Sequence, residues 1–480
     1  MLRKRLLRGG AWLTAGNALS AGTSFLRNII IARLVSVEDF GIVVLLTLTL
    51  AVVETVSNLS VEPLLIQAPD GDDPKLQATA HALQMVRGAL GGIIMFLAAT
   101  SIASLFKIPH VAWAFQILAL VPVIRSLMHL DTVRFQREMF YRPTFWANAL
   151  PQAVSLTLAV PLAYWLRDYS AIIWAMLGQM LTQVIVTHHF ASRPYQLAWD
   201  RKTVLRILTF GWPLLANGLM MFAIFQGDNA LIAIAFTPEV VGWYGAAFML
   251  SMGPAMLVTS VMSSLLLPVL SNCQNVPVVF QLRSRQVVQA SLAVGLLTAA
   301  VFAVFGPELL VALFGDRFRD GTMVVILLGL SQGVRIAKAG QFASAVALGA
   351  TKFPLIANLA RGGGLLAAIG LVSIGYSPSV VAITGLVGEI VSYAIGTRLL
   401  AIRVRSSAIQ VLPQIASWLA LVGLSWVIGA ELRGVAPSLM QFILGLLWVI
   451  VAMAIFVALS HALRAGLIRF FRRETVDGRE

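Results

Sequence analysis

The chain has 480 residues, of which 59% are hydrophobic and 12% are charged, with a formal net charge of +14. Soluble domains carry about 25% charged residues, so this composition excludes an ordinary soluble protein. Continuous apolar runs, such as residues 42–53 and 290–305, suit a bilayer core, which needs about 20 apolar residues per helix. The runs do not alternate, so they predict spanning helices rather than a membrane barrel.

Fourteen membrane spans are predicted, the first being a retained helix after a basic N-terminus rather than a cleaved signal peptide. In chain order they are 11–33, 40–61, 82–104, 110–130, 146–166, 170–190, 206–233, 240–268, 287–305, 322–348, 355–374, 379–401, 412–429 and 437–462.

Lysine and arginine are distributed unevenly between the two sides of these spans. Of the 35 such residues, 23 lie in or beside alternate segments that include both termini, and five lie in the other loops. By the positive-inside rule, this bias predicts that both termini are cytoplasmic. We therefore attribute the basic charge to topology and to anionic inner-leaflet lipids, and expect no binding to nucleic acid.

An internal repeat appears when the sequence is shifted by 201 residues, which brings residues 10–41 onto 211–242 without a gap. Eight of these 32 positions are identical. In both copies a Ser or Thr precedes a Glu by two residues, as at a helix start, and Gly41 or Gly242 follows three residues later. Convergent helix-start chemistry is the alternative explanation of the match.

The repeat predicts an all-α polytopic membrane protein with two parallel six-helix lobes, residues 1–200 and 201–405. Six spans separate the copies, so the two lobes point the same way through the membrane, as in one class of transporters. Residues 406–480 are then two additional spans and a cytoplasmic tail. The loops are too short for a folded domain, so any function is expected to reside in the helices.

Ionisable side chains inside spans are costly and usually face a cavity or a partner, and cations outnumber anions here, which suits an anionic substrate. Candidate substrate-binding residues in a central cavity are Arg27, Asn28, Arg87, Arg125, Asn229, Arg335, Lys338 and Arg361. Candidate gate or ion-coupling residues are Arg27, Asp228, Glu54 and Glu389.

Two groups among these candidates carry specific hypotheses. Arg335 and Lys338 share a helix face and, with Arg361, would form a basic patch for a phosphate or pyrophosphate; the alternative is that they reach for lipid headgroups. Arg27 is related by the repeat to Asp228, of opposite charge, so the two would form a gate at a central cavity. The alternative is that each is satisfied within its own lobe, with Arg27 near Glu54.

Three stretches resemble a known family: residues 31–41 (IARLVSVEDFG), residues 62–67 (EPLLIQ) and residues 135–142 (FQREMFYR). They are similar to the Wzx-type polysaccharide flippases of the multidrug/oligosaccharidyl-lipid/polysaccharide (MOP) exporter superfamily. The resemblance implies a flippase of a bacterial inner membrane that carries undecaprenyl-pyrophosphate-linked oligosaccharides to the periplasmic leaflet by alternating access. The cargo would serve O-antigen, capsule or exopolysaccharide synthesis.

The resemblance also implies coupling to H⁺ or Na⁺, and polysaccharide polymerase and export machinery as partners. A cation-coupled multidrug antiporter of the same superfamily is one alternative function, although its cavity should be acidic. A membrane glycan polymerase or ligase is the enzyme alternative, but it would need a large outer loop. We expect no enzyme activity, because the outer loops are short and no His-centred constellation suggests a membrane acyltransferase. With one cysteine and no metal-ligand spacing, we expect no metal or cofactor. The chain has no Walker motif, so ATP is not expected to be the direct energy source.

Overall fold

The structure is a computed structural model, and it describes residues 2–350, 352–404, 412–435 and 438–465. The basic side chains at the N-terminus and the predicted cytoplasmic tail from residue 466 onward lie outside the described residues. The chain forms two compact units, Met1–Gly245 and Ala246–Glu480. Among the described residues all regular elements are helices, which confirms the all-α fold class.

Among the described residues, ten α-helices and the first turns of an eleventh make up the first unit. They are α1 (Leu2–Leu34), α2 (Val37–Ser57), α3 (Val61–Gln67), α4 (Pro74–Leu105), α5 (Ala112–Leu118), α6 (Leu120–Ser126), α7 (Asp131–Arg137), α8 (Arg142–Leu166), α9 (Ser170–His189), α10 (Arg201–Ala235) and α11 (Pro238–Ser271).

Within its described residues, the second unit contains the rest of α11 and six further α-helices. They are α12 (Pro277–Phe314), α13 (Thr322–Ala347), α14 (Lys352–Ser373), α15 (Ser379–Val404), α16 (Leu412–Val435) and α17 (Ser438–Leu459). The helix α10 packs against α2, α3 and α4 and so belongs to the first unit here. A division into lobes at residue 200 stays a prediction from the repeat.

Twelve helices within the described ranges are long and apolar enough to cross a membrane, or thirteen if a bent pair counts as one span. The bent pair joins Pro109–Ser126 to Asp131–Arg137 at 50° and corresponds to the fourth predicted span. The first predicted span is helical as α1, but polar residues such as Asn17, Arg27 and Asn28 lower its hydropathy. The protein is therefore a multi-pass membrane protein.

Side-chain caps set several helix starts. The hydroxyl of Ser36 accepts from the Asp39 amide (3.0 Å), and Asp200 accepts from the Thr203 amide (2.8 Å). Asp73 accepts from the Lys75 amide (2.9 Å) before Pro74 opens α4. These bonds satisfy amides that the first helical turn cannot pair internally.

The repeat shift of 201 residues also maps the helix boundaries onto one another. The first helix ends at Leu34 and α10 ends at Ala235, while α2 begins at Val37 and α11 at Pro238. Both breaks therefore have the same length at equivalent positions. This agreement extends the repeat from residue identity to backbone structure.

In the second unit, α12 and α13 are packed closely through small residues. A Cβ on Gly333 would lie 2.7 Å from the Ala299 side chain, and one on Gly340 would lie 2.8 Å from the Val287 carbonyl. Two indole N–H groups hold the last two helices: Trp418 donates to the Leu292 carbonyl (3.1 Å) and Trp448 to the Ser425 hydroxyl (2.9 Å). The additional C-terminal helices are thus integral to this unit.

Candidate functional site

Arg27 on α1 is a buried cation with neutral partners. It is 8% exposed, and its Nη1 donates to the Ser155 hydroxyl on α8 (2.7 Å) and to Oε1 of Gln179 on α9 (3.0 Å). Its Nε faces Oδ1 of Asn28 at 3.4 Å. Within the part of the chain that the structure describes, no carboxylate is recorded within ion-pair distance of this guanidinium. Such burial is costly, so the fold retains a charge that it does not neutralise.

A second polar contact lies one turn before Arg27. The Ser24 hydroxyl donates to Oε1 of Gln152 on α8 at 2.8 Å. Because Ser24 and Arg27 are three residues apart, as are Gln152 and Ser155, the two contacts form consecutive rungs between α1 and α8. The α1–α8 interface is therefore polar where it holds Arg27.

The repeat-related residues on α10 are also buried. Asp228 and Asn229 are each 8% exposed, and the Asn229 amide donates to Oε1 of Gln226 at 2.9 Å. The Nη1 atom of Arg27 donates to residues of α8 and α9 and not to Asp228. A gate formed by Arg27 and Asp228 stays a prediction.

Three further candidates lie together in the first unit. Arg125 on α6 pairs with Glu54 on α2 at 2.5 Å, and Arg87 on α4 is an electrostatic neighbour of Arg125, Glu54 and Glu62. The side chains of Arg125 and Glu54 are 39% and 29% exposed, so this group is more accessible than Arg27. Glu54 is thus the partner of Arg125 rather than of Arg27.

In the second unit, three predicted cations converge on one carboxylate, and we call these four residues the Glu389 cluster. Arg335 and Lys338 approach from α13 and Arg361 from α14, while Glu389 itself belongs to α15. Arg335 Nη2 lies 3.0 Å and Arg361 Nε 2.6 Å from Oε1 of Glu389, and Lys338 pairs with Oε2. Glu389 is 1% exposed and Lys338 is 2% exposed, so the cluster is deeply buried.

The cluster continues as a polar seam between α13 and α15. Lys338 donates to the Ser392 hydroxyl (3.1 Å), which in turn donates to the Ala357 carbonyl on α14 (2.6 Å). Gln341, one turn further along α13, donates to the Thr397 hydroxyl (2.9 Å). The three-residue spacing of Arg335, Lys338 and Gln341 places them on one face of α13, so the seam joins three helices through polar groups.

The structure thus brings together several residues that were predicted from the sequence only as separate candidates. It unites Arg335, Lys338 and Arg361 and supplies Glu389, which the sequence assigned to another role, as their shared counterion. The sequence did not identify Ser155, Gln179 or Ser392 as partners. Their only signal was the occurrence of isolated polar residues in apolar helices, a pattern typical of interhelical hydrogen bonds.

Comparison with known protein families shows the family to which this chain belongs. A family model described as "Polysaccharide biosynthesis protein" matches residues 30–322. The chain belongs to this family. The match covers all three motif stretches completely, so it confirms the resemblance to Wzx-type flippases of the MOP superfamily.

Two curated relatives are distant in sequence. The chain is 20% identical over 279 residues to the lipopolysaccharide biosynthesis protein WzxC of Escherichia coli (strain K12), covering 57% of this chain and 56% of WzxC. It is 22% identical over 344 residues to the succinoglycan biosynthesis transport protein ExoT of Rhizobium meliloti (strain 1021), covering 69% of this chain and 67% of ExoT. The alignment thus spans little more than half of WzxC.

Two solved structures share the fold. The lipid II flippase MurJ, in an inward closed conformation, aligns with a TM-score of 0.71 and 16% identity over 93% of this chain and 99% of MurJ. An inward-facing MATE-family multidrug transporter of the MOP superfamily aligns with a TM-score of 0.63 and 14% identity, over 80% of this chain and 94% of the transporter. One of these proteins is a flippase and the other is a drug transporter. The shared fold therefore does not distinguish between these two activities.

Proposed function

We propose that this protein is a flippase for undecaprenyl-pyrophosphate-linked oligosaccharide repeat units in a bacterial inner membrane. It moves them from the cytoplasmic to the periplasmic leaflet by alternating access, for O-antigen, capsule or exopolysaccharide synthesis. Membership of the polysaccharide biosynthesis family supports the substrate class. The similar proteins WzxC, ExoT and MurJ, whose names refer to lipopolysaccharide, succinoglycan transport and lipid II, support the same substrate class.

The buried charge of Arg27 carries this proposal. A guanidinium removed from water and hydrogen-bonded only to hydroxyl and amide groups loses much hydration free energy without an ion pair in return. Such a charge is tolerated where it meets an anion during the protein's working cycle. A diphosphate fits this role, because its oxygens accept strong charge-assisted hydrogen bonds from guanidinium groups.

The rival function, export of cationic drugs, needs a site with an excess of negative charge. Here every intramembrane carboxylate of the Glu389 cluster and of the Glu54–Arg125 group is beside at least one arginine. Arg27 adds a cation whose recorded partners are all neutral. Even when the buried Asp228 is counted, arginine and lysine outnumber carboxylates among these intramembrane residues, which favours an anionic cargo over a cationic one.

Coupling to an H⁺ or Na⁺ gradient is part of the proposal, with Glu54 and Asp228 as the carboxylates best suited to it. Three cations surround Glu389, and they disfavour the approach of a further cation or proton through electrostatic repulsion. We infer that Glu389 mainly holds Arg335, Lys338 and Arg361 in place. Polysaccharide polymerase and export machinery are the partners that would receive the translocated units.

Gene deletion in the native host, followed by leaflet-specific detection of lipid-linked glycan, tests the proposed function. The deletion strain should accumulate the oligosaccharide lipid in the cytoplasmic leaflet, and the wild-type chain should clear it. Arg27→Met should not clear it, whereas exposed Arg142→Met should. Normal glycan export in the deletion strain, without accumulation, would exclude this function.

A further inference from the structure

The two Nη nitrogens of the Arg27 guanidinium differ in their hydrogen bonding. Each Nη carries two hydrogens, and both hydrogens of Nη1 are accounted for by the acceptors Ser155 Oγ and Gln179 Oε1. The structure gives Nη2 no partner among the described residues. The side chain is therefore fixed through Nη1, and Nη2 remains available for a ligand.

We propose that Ser155 and Gln179 are positioning residues that aim the Nη2 edge of Arg27 at the diphosphate of the cargo without touching the cargo themselves. This inference rests on the proposed function. The two residues come from different helices, α8 and α9, so together they fix both the position and the rotation of the guanidinium plane. A site that recognises phosphoryl oxygens needs such pre-orientation, because hydrogen bonds from guanidinium are directional.

The neutrality of these two partners is the specificity-determining feature. A carboxylate in place of the Gln179 amide would pair with Arg27 and compete with an incoming anion for the same charge. The pair Glu54–Arg125 in the same unit illustrates that alternative, since there the arginine already has its anion. Ser155 and Gln179 orient the charge of Arg27 and leave it for the cargo.

The substitution Gln179→Glu separates this role from a purely structural one. It preserves side-chain size and the acceptor oxygen but adds an anion beside Arg27. A structural role predicts that the new ion pair leaves every property intact or improved. A positioning role predicts that the protein keeps or gains thermal stability and yet loses affinity for a diphosphate lipid.

The experiment measures binding of undecaprenyl diphosphate and of uncharged undecaprenol to the full-length purified chain in lipid nanodiscs, together with thermal unfolding. For Gln179→Glu we expect at least a tenfold weaker binding of the diphosphate lipid, unchanged binding of undecaprenol and no fall in unfolding temperature. Ser155→Ala should weaken diphosphate binding several-fold, and Ser155→Thr should restore it. Gln183→Glu, the same change one turn further along α9, is the matched control and should behave as wild type.

The outcomes separate the inference from the function on which it rests. If Gln179→Glu binds the diphosphate lipid as wild type does, or unfolds at a lower temperature, the positioning role is overturned while the flippase proposal stands. If the wild-type chain binds undecaprenyl diphosphate no better than undecaprenol, the proposed function itself fails.

Discussion

Gly41 and Gly242, which are 201 residues apart in the chain, lie against each other at the first turns of α2 and α11. A Cβ on Gly41 would be 3.0 Å from the amide nitrogen of Gly242, and one on Gly242 would be 3.1 Å from the amide nitrogen of Gly41. A Cβ on Gly41 would also meet the Pro238 carbonyl, and a Cβ on Gly242 would meet the Val37 carbonyl. Val37 and Pro238 are likewise 201 residues apart. All four residues belong to the first unit, so the repeated segments pack together about a local twofold relationship.

We predict that Gly41→Ala and Gly242→Ala each destabilise the protein by about 1–3 kcal/mol, because the added methyl meets backbone that cannot rotate away. Thermal unfolding in detergent measures the effect. Because either substitution pushes the same two helices apart, the double variant should cost less than the sum of the single ones. Gly22→Ala, whose Cβ would meet nothing within 4 Å, is the control and should not be destabilised; equal losses in all variants would contradict this explanation.

The repeat could be recognised from the sequence because the same residue types are required at equivalent positions in both copies. Helix caps and glycines at a close approach restrict residue type at single positions, so Glu38 and Gly41 are repeated at Glu239 and Gly242. The sequence did not reveal that the two copies touch each other. That contact depends on how α2 and α11 pack, and no residue pattern within either segment encodes it.

Arg137 explains why two of the family motifs occur together. Its Nη1 lies within hydrogen-bond distance of the carbonyls of Leu65 (2.8 Å), Ile66 (3.0 Å) and Ala68 (2.5 Å), and Nη2 donates to Pro69 (3.3 Å). The Leu65 and Ile66 carbonyls in the last turn of the short helix α3 have no helical partners, and Ala68 and Pro69 follow the helix directly. The motif of residues 135–142 thus caps the motif of residues 62–67.

We predict that Arg137→Met lowers the free energy of unfolding by about 1–3 kcal/mol, since it leaves several carbonyls without a donor. Hydrogen exchange should show the loss of protection concentrated in residues 64–73. Arg137→Lys should restore little, because one ammonium group cannot span the same set of acceptors. The exposed residue Arg142 lies in the same motif, so Arg142→Met should leave this region protected; exchange that rises equally in both variants would argue against the cap.

Only part of the Glu389 cluster could be predicted from the sequence. The spacing of Arg335 and Lys338 predicted their shared face, and that follows from helix geometry alone. Their common counterion could not be inferred, because Glu389 is 54 residues from Arg335 along the chain and meets it only through the packing of α13 against α15. For the same reason, Ser155 and Gln179, which are 128 and 152 residues from Arg27, were not identified.

We predict that Glu389→Gln destabilises the protein by about 3–5 kcal/mol, because it leaves the buried ammonium of Lys338 without its carboxylate. Adding Lys338→Met should recover part of this loss, since the uncompensated charge is then removed as well. Thermal unfolding of the two single variants and the double variant gives the coupling energy. Glu431→Gln, at an exposed position on α16, is the control. A double variant that is less stable than Glu389→Gln alone would contradict the counterion role.

The loop between α3 and α4 is linked to α10 by an exposed ion pair between Asp70 and Arg206, with two contacts of 2.6 and 2.8 Å. Hydrogen bonds from the Arg206 guanidinium are the main cause that lowers the pKa of Asp70 from 3.8 to about 2. A carboxyl whose pKa is depressed on folding contributes stability above its ordinary pKa and loses it as the pH falls through the folded value. The pair should therefore remain ionised, and the loop unchanged, from pH 5 to pH 8.

Hydrogen-exchange protection factors for residues 68–73 test this expectation. We predict constant protection between pH 5 and pH 8 at low salt. Because both side chains are nearly half exposed, we predict a decrease when the salt concentration screens the pair. Asp70→Asn should show the lower protection at every salt concentration and no further response to salt, whereas Asp320→Asn should behave as wild type. Protection that declines steadily between pH 8 and pH 5 would mean that another titrating group, and not this ion pair, holds the loop to α10.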